Sequence, residues 1–177
     1  MMKETLTTAR LVLRKHKVSD LAESMALWND IPVLKALGTP PRSRAEVWTK
    51  LLYHRGHWDH YGYGCYTVRD KTNGRFLGEV GLKHYMRDAQ LPYSDTIPEV
   101  GWLMHSHCHG KGYASEALGA VFAETDSTLT VPTCCMIAPD NQASRALAVK
   151  FGFEKTDSLL LGNKVVDFFV RSPRVSR

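Results

Sequence analysis

"HSHCHGKGYASEA" runs from His105 to Ala117 and admits two incompatible readings. Three histidines and a cysteine in five residues look like a metal site. Gly-Lys-Gly-Tyr-Ala leading into a helical pattern looks like a phosphate cradle. In a straight strand His105, His107 and His109 would share one face. His105 and His109 would then stand ~13 Å apart at a rise of ~3.3 Å per residue, too far for both to bind one ion at ~2 Å. A second histidine run, "HRGHWDH" with His54, His57 and His60, fits one helix face. No carboxylate or cysteine cluster completes it, so it is expected to be a solvated helix end. The expectation is that the protein holds no metal.

The cradle reading uses Gly110 and Gly112, which fall between a strand and an amphipathic helix. Glycine allows backbone conformations that other residues resist and lets a ligand approach closely. The first turn of a helix presents unpaired N–H groups and a partial positive charge, which together suit a phosphate. The alternative is an ordinary strand–helix connection. Lys111 is followed by Gly112 instead of Ser or Thr, so the Walker lysine motif is absent, and so is the Rossmann Gly-x-Gly-x-x-Gly.

The flanking sequence supplies the elements. "RLVLRKH" (Arg10–His16) alternates like a strand, and Ser19 is a plausible cap for a helix carrying Leu21, Met25 and Trp28. Pro32 and "GTPPRS" are expected to break it. Ser43 with Glu46 has capping-box spacing ahead of Val47, Leu51 and Trp58. Two strands, "CYTVRD" (Cys65–Asp70) and "RFLGEVGLKHY" (Arg75–Tyr85), flank the turn "KTNG". A polar loop from Met86 to Pro98 leads to a third strand, "EVGWLMH" (Glu99–His105). After the glycines, Ala114, Ala117, Leu118, Val121 and Phe122 recur at helix spacing. "TCCMIA" (Thr133–Ala138) reads as a short buried strand, and "NQASRALAVKFGF" as a helix ended by Gly152. "LLLGNKVV" reads as a hairpin whose last strand reaches about Arg171. Late helical crossovers imply that part of the sheet is parallel. The chain is therefore expected to be one α/β (α+β) domain over 1–177. Its mixed, mostly antiparallel sheet should have about six to seven strands, flanked by about four helices.

Composition bounds the function. The 177 residues are 44% hydrophobic without a membrane-spanning run, and the start "MMKETLTTARLVLRK" has no export signal. A cytoplasmic protein with reduced Cys65, Cys108, Cys134 and Cys135 is expected. The net charge of +5 is spread along the chain and mildly favours anionic ligands, without pointing to nucleic acid or membrane.

"EVGWLMHSHCHGKGYASEALGAVF" followed by "IAPDNQASRALAVKFGFEK" resembles the GNAT family of acyl-CoA-dependent N-acetyltransferases, a GNAT-like single domain. The resemblance is strongest to the bacterial branch named after the RimJ and RimL ribosomal-protein acetyltransferases. The family's Gln/Arg-x-x-Gly-x-Gly/Ala signature maps onto His109, Gly110, Lys111, Gly112, Tyr113 and Ala114, with His109 replacing Gln or Arg. Asn-x-x-Ser maps onto Asn141 and Ser144, and the later Gly-Phe pair onto Gly152-Phe153. The resemblance implies that acetyl-CoA is the cosubstrate, an amine the acceptor, and a homodimer possible. It implies backbone pairing of Trp102, Leu103 and Met104 with the pantetheine arm. Amides from Gly110 to Ser115 would hold the pyrophosphate, and Asn141 would touch the pantetheine.

The implied activity is transfer of an acetyl group to a primary amine, on a small molecule or a protein N-terminus, by direct attack in a ternary complex. An alkyl ammonium has a pKa near ~10.4, so a group must accept its proton. Glu99, at the start of the cradle strand, is the candidate base, and Glu79 on the neighbouring strand is the reserve. A solvent-facing residue or a structural ion pair is the alternative for Glu99. Many family members carry a Tyr seven residues after the Asn as an acid. Ala148 stands there, which leaves Ser144 as the candidate acid and admits a non-catalytic acyl-CoA-binding or interaction module.

Overall fold

The computed structural model describes residues 1–87 and 96–173. Eight strands form one sheet: β1 (Thr5–Thr7), β2 (Leu11–Lys15), β3 (Cys65–Asp70), β4 (Phe76–Lys83), β5 (Glu99–Met104), β6 (Thr133–Ile137), β7 (Glu154–Leu161) and β8 (Lys164–Arg171). Their spatial order is β1-β2-β3-β4-β5-β6-β8-β7. Every neighbouring pair is antiparallel except β5 and β6. The helices are α1 (Leu21–Trp28), α2 (Ile31–Leu37), α3 (Arg44–Tyr61), α4 (Tyr113–Thr128) and α5 (Gln142–Lys150). The mixed sheet follows the expected class, with one strand and one helix more than the sequence suggested. The polar loop expected at Met86–Pro98 lies largely outside the described residues.

Period-two alternation sorts the residues of the central strands between two unlike faces. On one face Leu11, Leu13, Tyr66, Val68, Val80, Leu82, Val100 and Met104 form a buried apolar layer. The stripe Ala117, Leu118, Val121 and Phe122 of α4 packs on it, joining the same core cluster. The strand registers place Thr67, Glu79 and Leu103 in one row of the opposite face, and Lys83 opposite Glu99 in another. Ser24 and Trp28 of α1 and His54 of α3 reach Glu79 on that face. A polar interior thus lies beneath the first helices, while the apolar core lies beneath α4.

Local chemistry explains the ends of the elements. Ser43 accepts a hydrogen bond from the Glu46 amide, and Glu46 returns one to the Ser43 amide, completing the expected capping box. Pro32 begins α2 instead of breaking a helix, because a first-turn residue needs no N–H partner. Asp20, not Ser19, stands at the N-cap of α1, after a single 3-10 turn over Val18–Asp20. The buried Asp20 carboxylate accepts from Arg14 at 2.7 and 2.8 Å, from Arg69 at 2.8 Å and from the Lys17 amide at 2.7 Å. Burial works to raise its pKa, but these donors outweigh it and hold the carboxyl below its ordinary range.

The Asp20 knot ties β2 and β3 to the start of α1. Asp20→Asn should remove about 3–5 kcal/mol at neutral pH, by leaving buried guanidinium charge without its counter-ion. Because the folded pKa lies below the unfolded one, the contribution is present above the unfolded carboxylate pKa and lost as pH falls through the folded value. Denaturant midpoints measured from neutral to acid pH should therefore fall less steeply in Asp20→Asn than in the parent.

Candidate active site

The parallel seam between β5 and β6 has a single register pair, Glu99 with Cys134, supported by the Cys134 amide donating to the Pro98 carbonyl at 3.0 Å. Past that pair the two strands part. A cleft of about 800 Å³ opens there, lined on one side by the glycine loop and α5 and on the other by residues of α1, α2, β4 and β5.

At the loop end, Gly110 and Gly112 have φ of 73° and 76°, conformations that favour glycine. A Cβ at Gly110 would meet nothing within 4 Å, and at Gly112 only Arg10 at 3.5 Å, so backbone conformation rather than crowding demands glycine here. Gly112 is the N-cap of the sixteen-residue α4 and carries no side-chain cap, leaving the first-turn amides for an anion. Arg10 braces this loop: it donates to Glu116 at 2.6 Å and to the Lys111 carbonyl at 3.0 Å, and stacks 4.6 Å from the Tyr113 ring centroid. The sequence offered no signal for that role, because Arg10 lies about a hundred positions from the loop.

The other expected cradle residues fall into place unevenly. His109, Gly110, Gly112 and Tyr113 line the cleft, as do Ala114, Ser115, Asn141 and Ser144. Trp102, Leu103 and Met104 line it from β5, whereas Lys111 is exposed outside it. His109 Nε2 lies 3.1 Å from the Met104 carbonyl, folding the ring back onto the strand end. Asn141 caps α5 by accepting from the Ser144 amide at 3.1 Å. The Ser144 hydroxyl oxygen accepts from Trp102 Nε1 at 3.3 Å. Ala148 is buried in the apolar core, while Ser144 and Leu147 face the cleft.

The first histidine run lies at the end of the strand, and the second differs from its expected setting. The strand ends at Met104, and a 3-10 turn over Ser106–Cys108 breaks the line, so the three histidines do not share a strand face. His105 Nδ1 lies 3.0 Å from Asp30, beside α2. The second run is not a solvated helix end: His54 and His57 are buried. Only His60 is exposed, because the face of α3 bearing the other two packs inward.

The far end of the cleft is ionic. Glu79 is 4% exposed and accepts from Ser24 at 3.3 Å and Trp28 Nε1 at 3.1 Å. His16 Nε2 lies 3.2 Å and His54 Nε2 3.7 Å from its oxygens. Burial works against its charge, but the two rings beside it hold the carboxyl well below its ordinary range. Burial keeps His54 neutral by pushing its pKa down to about 3. Lys83 remains a cation: burial opposes its charge, and nearby Tyr85, Cys65 and Glu79 raise its pKa overall. Burial and Lys83 push Lys50 down to about 8. Glu99 is engaged by the Arg87 guanidinium through both its oxygens.

His16, His54, Cys65 and Glu79 bring ligand-type atoms within 4.8 Å of one another, a grouping drawn from four segments that no sequence run displays. Burial pushes the Cys65 thiol up to about 11, and Lys83 and Lys50 act on it electrostatically.

A model of the acetyltransferase (GNAT) domain matches residues 10–154, so the chain belongs to the GNAT acetyltransferase family. The Bacillus subtilis (strain 168) protein YkkB is 27% identical over 175 residues, covering 96% of each chain. A solved GnaT-family acetyltransferase from Bordetella pertussis shares 26% identity at a TM-score of 0.85, covering 96% of this chain and all (100%) of its own. The fold is also that of RimL, the ribosomal L7/L12 α-N-protein acetyltransferase. RimL solved in complex with coenzyme A aligns at a TM-score of 0.75 and 18% identity, covering 96% of this chain and 98% of RimL. Among the described residues no helix is long and apolar enough to cross a membrane.

A β-branched side chain at position 112 would strain the left-handed backbone from which the α4 amides open. Gly112→Val should lower coenzyme A affinity by at least ~10²-fold in calorimetry while leaving the circular dichroism spectrum intact. Unchanged affinity would remove the loop from the binding site.

Proposed function

We propose that the protein is an acetyl-CoA-dependent N-acetyltransferase whose acceptor amine enters from the α1–α3 side of the sheet. The observation that carries this reading is one cleft with an amide-rich helix start at one end and an ionised buried carboxylate, Glu79, at the other. The edge of β5 at Trp102–Met104 would align the pantetheine arm, and the α4 amides would hold the pyrophosphate. The amine nitrogen attacks the thioester carbonyl carbon, a C–N bond forms, and the C–S bond breaks. A backbone N–H of β5 would stabilise the developing oxyanion.

Glu79 then takes the role first considered for Glu99. Glu79 shares a sheet row with Leu103, where the thioester end of the arm would lie, whereas Glu99 is engaged by Arg87. The attacking nitrogen becomes strongly acidic as its bond to carbon forms, so a carboxylate of low pKa can accept the proton. Ser144, whose hydroxyl oxygen accepts from Trp102, keeps its own proton available for the departing thiolate. The buried Ala148 cannot supply an acid.

Glu79→Gln should lower turnover by about 10²-fold at neutral pH with coenzyme A affinity little changed. The deficit should shrink as pH rises, because hydroxide can then take the proton from the newly bonded nitrogen. Glu99→Gln should cost less than tenfold, and Ser144→Ala should slow turnover without adding that pH dependence. Thiol release against an amine panel, followed across pH, checks all three. A larger loss in Glu99→Gln than in Glu79→Gln would return the base to Glu99, and no thiol release with any amine would favour a binding module.

A further inference from the structure

Lys83 carries a charge on the acceptor side that this chemistry leaves unused. It is 6% exposed and lines the cleft. Its Cα pairs with Glu99 across the sheet, the usual place for an ion pair, yet Arg87 occupies that carboxylate. Among the described residues no carboxylate lies within 4 Å of the Lys83 ammonium. Its partner is Tyr85, which hydrogen-bonds the ammonium and whose ring centroid lies 5.1 Å away, shared with Arg87 at 4.1 Å. A buried ammonium without a counter-ion is costly, and that cost falls when a ligand supplies the anion.

The sheet shows where the ammonium points. Gly81 and Gly101 face each other between the Glu79–Leu103 row and the Lys83–Glu99 row. Neither fills the space above the sheet, and the Lys83 side chain occupies it: Nζ lies 3.8 Å from where a Gly101 Cβ would be. Lys83 therefore folds back toward Glu79. Two residues along β4 separate Glu79 from the Gly81–Gly101 row over which the ammonium lies, roughly 6–7 Å at the strand rise.

We propose that the acceptor is a small amino-acid-like molecule, its amine directed to Glu79 and a carboxylate bound by Lys83. This rests on the acetyl-transfer reading above. The close spacing of the charges calls for an amine and an acid separated by only a few bonds. A peptide N-terminus whose neighbouring carbonyl is an amide does not supply that anion. The reaction balances as amine plus acetyl thioester giving amide plus free thiol, with the carboxylate unchanged and the amine proton passing to Glu79.

The test uses the full-length protein with acetyl-CoA and matched acceptors: amino acids, their amides, the decarboxylated amines, and aminoalkylphosphonates. For at least one amino acid the acid should exceed its amide in kcat/KM by about 10- to 100-fold. Lys83→Met should collapse that ratio toward one, whereas Lys83→Arg should retain most of it. Coenzyme A affinity by calorimetry reports whether each variant is folded. Equal or better turnover of every amide overturns the inference while leaving acetyl transfer standing. Preference for the phosphonate over the carboxylate overturns the carboxylate assignment. If no amine turns over, the acetyl-transfer reading fails. The same acids and amides are then compared by direct binding to the coenzyme A-loaded protein, where equal affinities overturn the anion site as well.

Discussion

The structure depends on a pairing that is abandoned. β5 and β6 meet at one register pair and then separate, in a sheet whose other seams continue over several residues. A strand edge with unpaired amides and carbonyls inside a protein must be answered by a ligand, a side chain or water. Here the edge lies along a cleft, with the start of α4 at one end and the polar face of the sheet at the other. The site exists because the sheet is incomplete there.

The two faces of the sheet divide the work. The α4 side is a conventional apolar core, which fixes the helix start that opens toward the cleft. Arg10 links that helix to β2 through Glu116 and the Lys111 carbonyl. The opposite side buries charge: Asp20 with Arg14 and Arg69, Glu79 beside two histidines, and Lys83 over a pair of glycines. Interiors of this kind cost folding energy unless each group is answered. Asp20 and Glu79 are each answered by several partners, whereas Lys83 has Tyr85, and both Glu79 and Lys83 line the cleft.

Much of the architecture was legible in the sequence because it rests on local rules. The turn "KTNG" set off the strand "CYTVRD", which is β3, and Ser43 with Glu46 marked the start of α3. The glycines at 110 and 112 announced a loop of left-handed backbone before a helix. The misread places are those where a local signal had a tertiary answer. Pro32 suggested a stop but opened α2, since a proline fits a first turn as readily as it ends a helix. The "HRGHWDH" run was taken for a solvated end, but inward packing of α3 buried two of its histidines.

By itself, then, the sequence determined the order of the elements other than β1 and α2, the glycine loop and the helix it opens, and the candidate residues that the loop and α5 bring to the cleft. These follow from spacing along the chain, where capping, periodicity and backbone freedom act over a few residues. Only the tertiary structure told the two acids apart. Glu79 and Glu99 look alike in sequence, but Arg87 engages Glu99 while Trp28 and Ser24 donate to Glu79. It likewise decided that Lys83 turns back over Gly101. Charges sense their neighbours through space, and strand register, set by pairing across the whole sheet, determines who those neighbours are.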